Sequence, residues 1–161
     1  MARDGSHDFD FEFGDWTVAL SRLVEPLTDS DNWVEYEGTS VVRRVWEGRA
    51  NLGELEVDGP SGHIQGLSLR LYNPESGQWS IRWASARDGE LGPPMIGAFR
   101  AGVGEFHNQE LFDGRTIDVR FLFTDITETS FQLEQAFSDD EGDTWEANWI
   151  ARFQRVPGTT A

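Results

Sequence analysis

Gly104-Glu105-Phe106-His107-Asn108-Gln109-Glu110-Leu111-Phe112-Asp113-Gly114-Arg115-Thr116-Ile117-Asp118-Val119-Arg120-Phe121-Leu122-Phe123 is the stretch that decides the fold. Its centre, Asp113-Gly114, suits a type I′ turn, whose two positive-φ residues match the right-handed twist of the flanking strands. Beyond the turn Ile117, Val119, Phe121 and Phe123 recur with a period of two. Alternation at that period marks a strand with one face buried. The segment therefore predicts a β-hairpin.

The same pattern continues in both directions. Upstream, Gln78–Ser85 carries Trp79, Ile81 and Trp83 on one face, and Ile64–Tyr72 carries Leu67, Leu69 and Leu71. Between them Asn73-Pro74-Glu75-Ser76-Gly77 is turn chemistry, since proline presets φ and glycine admits positive φ. Asn51–Val57 and Trp33–Trp46, the latter broken near Gly38, precede them. A first run, Phe9–Leu23, alternates Phe9, Phe11 and Phe13, pauses at Gly14-Asp15 and resumes with Trp16, Val18 and Leu20. Residues 25–32 and 86–94 are loops, and the glycines between Gly97 and Gly104 let strands bend. Phe131–Phe137 and Trp145–Phe153 complete a set of about ten strands with no convincing helix. Short connections pair sequential strands antiparallel. The expected fold is all-β, an antiparallel up-and-down β-barrel, because closure removes both exposed edges. A two-sheet sandwich is the alternative. One domain is expected over 9–156, between loose polar tails at 1–8 and 157–161.

Composition narrows the function. Among 161 residues, 29 Asp and Glu against 13 Lys and Arg give a net charge of −16. Such a chain repels phosphate backbones, so no nucleic-acid partner is expected. With no cysteine, disulfides, zinc ribbons and thiol catalysis are excluded. No apolar run approaches the ~20 residues of a membrane span, and the N-terminus lacks the apolar stretch of a signal peptide. The expectation is a cytoplasmic protein with no membrane partner and no cofactor. His7, His63 and His107 form no His-x-His or His-Glu-x-x-His pair, so no metal site is expected. His107, beside Glu105, reads as an exposed strand residue or as an acid–base group near a barrel mouth. There is no Gly-x-Ser-x-Gly elbow, P-loop or dinucleotide fingerprint. No motif fixes an oligomeric state.

Three motifs carry resemblances. Ser138-Asp139-Asp140-Glu141-Gly142-Asp143-Thr144-Trp145 resembles an Asp-box, the hairpin turn repeated in sialidase propellers. One copy implies a structural turn with no chemistry, although its carboxylates are also the hard oxygens calcium uses. Gly14-Asp15-Trp16 near the start, with Arg152 and Arg155 at the end, resembles the calycin superfamily of lipocalins and fatty-acid-binding-like barrels. The resemblance implies that the indole packs against a basic side chain of the last strand, closing the barrel floor. A haem-binding barrel of the nitrobindin type would need an inward histidine near the final strands, and none is there. Phe9-Asp10-Phe11-Glu12-Phe13-Gly14-Asp15-Trp16, Leu69-Arg70-Leu71-Tyr72-Asn73-Pro74 and Trp145-Glu146-Ala147-Asn148-Trp149 together resemble small bacterial lipocalin-like domains of unassigned function. This implies a barrel with an internal cavity and no particular reaction.

Two registers compete for the lumen. In the first, Trp79, Trp83, Phe121, Phe123, Gln135 and Trp149 face inward as candidate ligand-binding residues. In the second, Arg70, Arg82, Arg120, Glu134 and Asn148 form an internal polar ladder. Burying so many charges is costly unless all are paired, which favours the first. Arg43-Arg44 would then place one arginine inward, against Glu54 or an anionic ligand. The leading expectation is binding of a small hydrophobic or aromatic molecule, with the Trp- and Phe-rich composition supplying the walls and Gln135 an orienting amide. The alternative is a cyclase, isomerase or hydratase that uses the lumen as a reaction chamber, with Glu134 as acid or base and Arg120 as anion stabiliser. A scaffold whose lumen is filled by its own side chains is the third reading.

Overall fold

The structure is a computed structural model that describes residues 4–158. Ten strands form one closed antiparallel barrel in chain order: β1 Gly14–Leu23, β2 Trp33–Val45, β3 Ala50–Gly59, β4 Gly62–Asn73, β5 Gln78–Ser85, β6 Met95–Arg100, β7 Val103–Phe112, β8 Arg115–Thr124, β9 Ser130–Ser138 and β10 Glu146–Arg155. The ring closes between β1 and β10, from Trp16 opposite Arg155 to Arg22 opposite Trp149. The expected barrel thus stands, and the sandwich does not. Up-and-down order puts the turns after β1, β3, β5, β7 and β9 at one end, the mouth, and the remaining turns at the base.

The base differs from expectation. Phe9–Phe13 is not strand. Two 3-10 turns, Gly5–His7 and Asp10–Glu12, carry the chain across the base before Gly14, at φ 116°, swings it into β1. The turns deliver rings to the interior. Phe9 is fully buried, edge-on to Trp79 at 5.0 Å, Phe99 at 4.8 Å and Phe123 at 5.3 Å. Edge-to-face rings at these separations are favourable beyond their buried area. Residues 4–8 are packed rather than loose: Ser6 is buried and the Gly5 carbonyl accepts from Trp79 Nε1 at 3.0 Å. Residues 1–3 and 159–161 of the expected tails lie outside the described residues.

A clamp from the last strand fixes this plug. The Arg155 guanidinium lies 4.3 Å above the Trp16 ring and donates to the carbonyls of Phe13 (2.6 Å), Phe11 (2.7 Å) and Glu128 (2.8 Å). Trp16 Nε1 donates to the Glu12 carbonyl at 2.8 Å. The contact expected between the Gly-x-Trp indole and a terminal arginine is therefore made by Arg155, while Arg152 is exposed. Orphan carbonyls of the plug are satisfied at the same stroke.

β2 runs unbroken through Gly38. A Cβ at Gly38 would sit 1.9 Å from the Glu56 carbonyl oxygen, so glycine here permits close approach of β2 and β3 rather than interrupting a strand. Among the described residues no helix is long and apolar enough to cross a membrane.

Candidate functional site

Register decides what the lumen contains. On β5, β8, β9 and β10 the first register holds. Arg120 and Glu134 pair with Ala136 and Leu122, the opposite parity to Phe121 and Gln135, and so lie on the outer wall. There Arg120 stacks on Trp145 at 4.5 Å and stands 3.9 Å from Glu134. These two catalytic candidates depended on the second register and do not meet the lumen. Arg82 alternates outward with Ser80, one on each side of the buried Ile81.

Two members of the polar ladder nevertheless point in. Arg70 stands opposite Ile81, and Ser68 opposite Trp83, so β4 sends Ser68 and Arg70 to the lumen and Leu67, Leu69 and Leu71 outward. Asn148 is the extra residue of a β-bulge between Ala147 and Trp149, is buried, and accepts from Gln135 Nε2 at 2.8 Å. A bulge frees a strand from strict alternation. Arg43 and Arg44 are both exposed, and Arg44 stacks over Phe13 at 4.7 Å instead of entering the lumen.

The lumen holds a cavity of about 220 Å³. Ile81, Trp83, Met95, Phe121, Leu133 and Trp149 supply apolar walls, Glu12 and Arg70 the floor, and Gln135 and Glu110 line it as well. β5 and β10 stand on opposite sides of the ten-strand ring, so Trp83 and Trp149 meet across it, 6.2 Å apart at 71°. Gly66 makes room for this, because a Cβ there would fall 2.2 Å from the Trp83 ring. Four of the six ligand-binding candidates, Trp83, Phe121, Gln135 and Trp149, line the cavity. Trp79 and Phe123 do not. Each is 1% exposed and packed with Phe9 beneath the floor, because the N-terminal plug fills the level at which they point inward.

The floor is the part that sequence reasoning missed. Arg70 Nη1 donates to Glu12 Oε2 at 2.8 Å and to Asn51 Oδ1 at 3.2 Å. The side chains of Arg70 and Glu12 are only 6% and 3% exposed. Burial pushes the Glu12 carboxyl above its ordinary range, against the pull of the Arg70 guanidinium. Glu12 Oε1, Arg70 Nε and Asn51 Nδ2 have no hydrogen-bond partner among the described residues. Buried polar atoms are normally satisfied, so this cluster has unused capacity. Glu12 read as an outward residue of a Phe-Glu-Phe strand, and no sequence signal announced the 3-10 turn that reverses it.

The remaining motifs lie outside the lumen. The histidines are exposed: His7 near Asp10 (3.1 Å), His63 between Asp58 and Glu56, and His107 near Glu105 (3.0 Å) with Trp145 beside it. Hydrogen bonding to Asp58 raises the His63 pKa. The Asp-box-like turn joins β9 to β10 at the mouth. Ser138 Oγ donates to Asp140 Oδ1 (2.7 Å) and accepts from the Gly142 N–H (2.8 Å), and the Thr144 N–H donates to Asp140 Oδ1 (2.9 Å). Both Asp140 oxygens are thereby used, and hydrogen bonds led by the Thr144 hydroxyl hold its pKa down to about 2. No group of three or more His, Asp or Glu among the described residues is arranged to hold a metal ion.

No protein-family model matches the chain, and no curated protein does. Solved structures do. The S-type phycobiliprotein lyase CPES from Guillardia theta superposes with a TM-score of 0.64 at 11% identity, over 96% of this chain and 93% of that one. EF1p2_mFAP2b bound to DFHBI gives 0.52 at 10% identity, over 94% and 99%. The redesigned barrel mFAP1 bound to DFHBI gives 0.50 at 10%, over 95% and 100%. At these identities the likeness is one of fold, a closed antiparallel barrel.

Proposed function

We propose that this protein binds a small, mainly apolar or aromatic molecule inside the barrel. The observation that carries the reading is the cavity of about 220 Å³ between Trp83, Trp149 and Phe121, above a floor with unused hydrogen-bonding atoms. Apolar walls with a few convergent polar groups are the usual make-up of a small-molecule site. Trp83, Phe121, Gln135 and Trp149 would touch the ligand, and Trp79 and Phe123 would brace the floor. Two neighbours in fold hold DFHBI in their solved structures, and the third is a lyase of phycobiliproteins, which fits a barrel used as a small-molecule container. The kinship we favour is with small bacterial lipocalin-like domains, and the acidic, cysteine-free composition fits a cytoplasmic setting.

A second reading has one observation behind it. Glu12 is a buried acid with its pKa raised and one oxygen unpartnered at the cavity floor. An isomerase or hydratase would draw its proton donor from Glu12, not from Glu134.

The test is tryptophan emission and melting temperature across a panel of small aromatic probes, with Trp83→Ala and Trp149→Ala in parallel. Binding quenches or shifts emission and raises the melting temperature. Each alanine variant weakens it by about 1–2 kcal/mol, the worth of a lost aromatic wall. Emission and melting temperature unmoved by the whole panel would refute the reading.

A further inference from the structure

The charges around the cavity are unequal, and this says what the ligand carries. Four charged side chains line it: Arg70 alone is positive, and Glu12, Glu54 and Glu110 are negative. The one cation is already spent, because Arg70 donates to Glu12 at 2.8 Å. Glu54 alternates with outward residues of β3, since its register partners are Val41 and Leu67, and it is exposed. Glu110 is different. It stands opposite the buried Ile117, on the inward parity of β7, and is half-buried. No cation is paired with it among the described residues, so its charge faces the cavity uncompensated.

Around that carboxylate the walls are π surface. Trp83, Trp149 and Phe121 line the same cavity as Glu110. An aromatic face attracts a cation through its quadrupole, and the attraction grows as water is excluded. The charge of the whole chain, −16, raises the local concentration of cations at the mouth and lowers that of anions. An anionic ligand would have to share Arg70 with Glu12, whose carboxylate already offsets the guanidinium charge. A neutral ligand would leave Glu110 as it is.

We infer that the lumen selects a cationic ligand, an aromatic or apolar body bearing an ammonium group, with Glu110 as counter-charge and the Trp83, Trp149 and Phe121 rings around it. The inference rests on the lumen-binding reading and names its ligand class.

Three probes on one scaffold test it: 1-naphthylmethylammonium, 1-naphthylmethanol and 1-naphthoate, titrated calorimetrically into the full chain at pH 7. The ammonium should bind roughly tenfold tighter than the alcohol, the size of one desolvated cation–π contact, and the naphthoate weakest of all. Raising salt should narrow the gap between ammonium and alcohol in the unaltered protein, which needs no variant to fold. Glu110→Gln should bring the ratio of the two close to one. Equal binding of ammonium and alcohol overturns the inference while leaving the lumen reading intact. Naphthoate binding tightest would overturn it in favour of Arg70 as the anchor. Failure of all three to bind would overturn the lumen reading itself.

Discussion

Replacing Arg70 with methionine tests whether the plug is held by the buried pair. The Arg70 and Glu12 side chains are 6% and 3% exposed, and removing the cation leaves a carboxylate in the interior with no partner. Breaking a buried pair from one side costs about 3–5 kcal/mol, most of it the penalty of the stranded charge. The lost bond to Asn51 adds about 1 kcal/mol. Glu12→Gln alone keeps an acceptor for Arg70 and should cost less, about 1–3 kcal/mol. With both changes no charge is stranded, so the double variant should lie within about 2 kcal/mol of the parent and the pair should couple strongly. Urea unfolding followed by tryptophan emission reads all four corners of the cycle. The pH dependence adds a sign. Glu12 is held above its ordinary value of 4.5 in the folded state, so the folded chain binds this proton more tightly than the unfolded one. Its contribution is fully present below pH 4.5 and is lost as pH rises through the raised folded value. Losing Arg70 lifts that value further, so the Arg70→Met penalty should shrink on acidification. A penalty below about 1 kcal/mol at pH 7, or single costs that simply add, would refute the view that this pair holds the floor.

Two other predictions concern the frame. Asp140 is depressed from 3.8 to about 2, so its contribution is present above pH 3.8 and is lost as pH falls through 2; the melting-temperature gap between Asp140→Asn and the parent should therefore be open at pH 6 and close as pH nears 2. Gly38→Ala places a Cβ 1.9 Å from the Glu56 carbonyl; prising β2 from β3 should cost more than about 2 kcal/mol by urea unfolding, and a neutral result would contradict the close approach.

The wall of the barrel was legible because each strand advertises its own period: Ile117, Val119, Phe121 and Phe123 declare a buried face without reference to any neighbour. The lumen was only half legible, because inward and outward are decided between strands. The Leu67, Leu69 and Leu71 stripe is the most apolar side of β4, yet pairing with β5 across the turn at 73–77 sends Arg70 inward instead. Asn148 escaped because a bulge breaks the alternation on which the reading depends. Phe9, Phe11 and Phe13 misled most. Their spacing is that of a strand, but 3-10 turns carry the segment across the base, where Phe9 is buried among Trp79, Phe99 and Phe123. That fold placed Glu12 beneath Arg70, a meeting 58 residues apart that local pattern does not encode.

Arg155, at the end of β10, grips carbonyls of residues 11 and 13, and β10 itself is the neighbour that β1 requires. During synthesis the grip on residues 11 and 13 is therefore missing until β10 has been made, although Arg70 and Trp79 can hold Glu12 and Gly5 earlier. Until then β1 and β9 remain bare edges, open to mispairing with other chains. Synthesis order thus leaves the vessel with an open seam until β10 arrives.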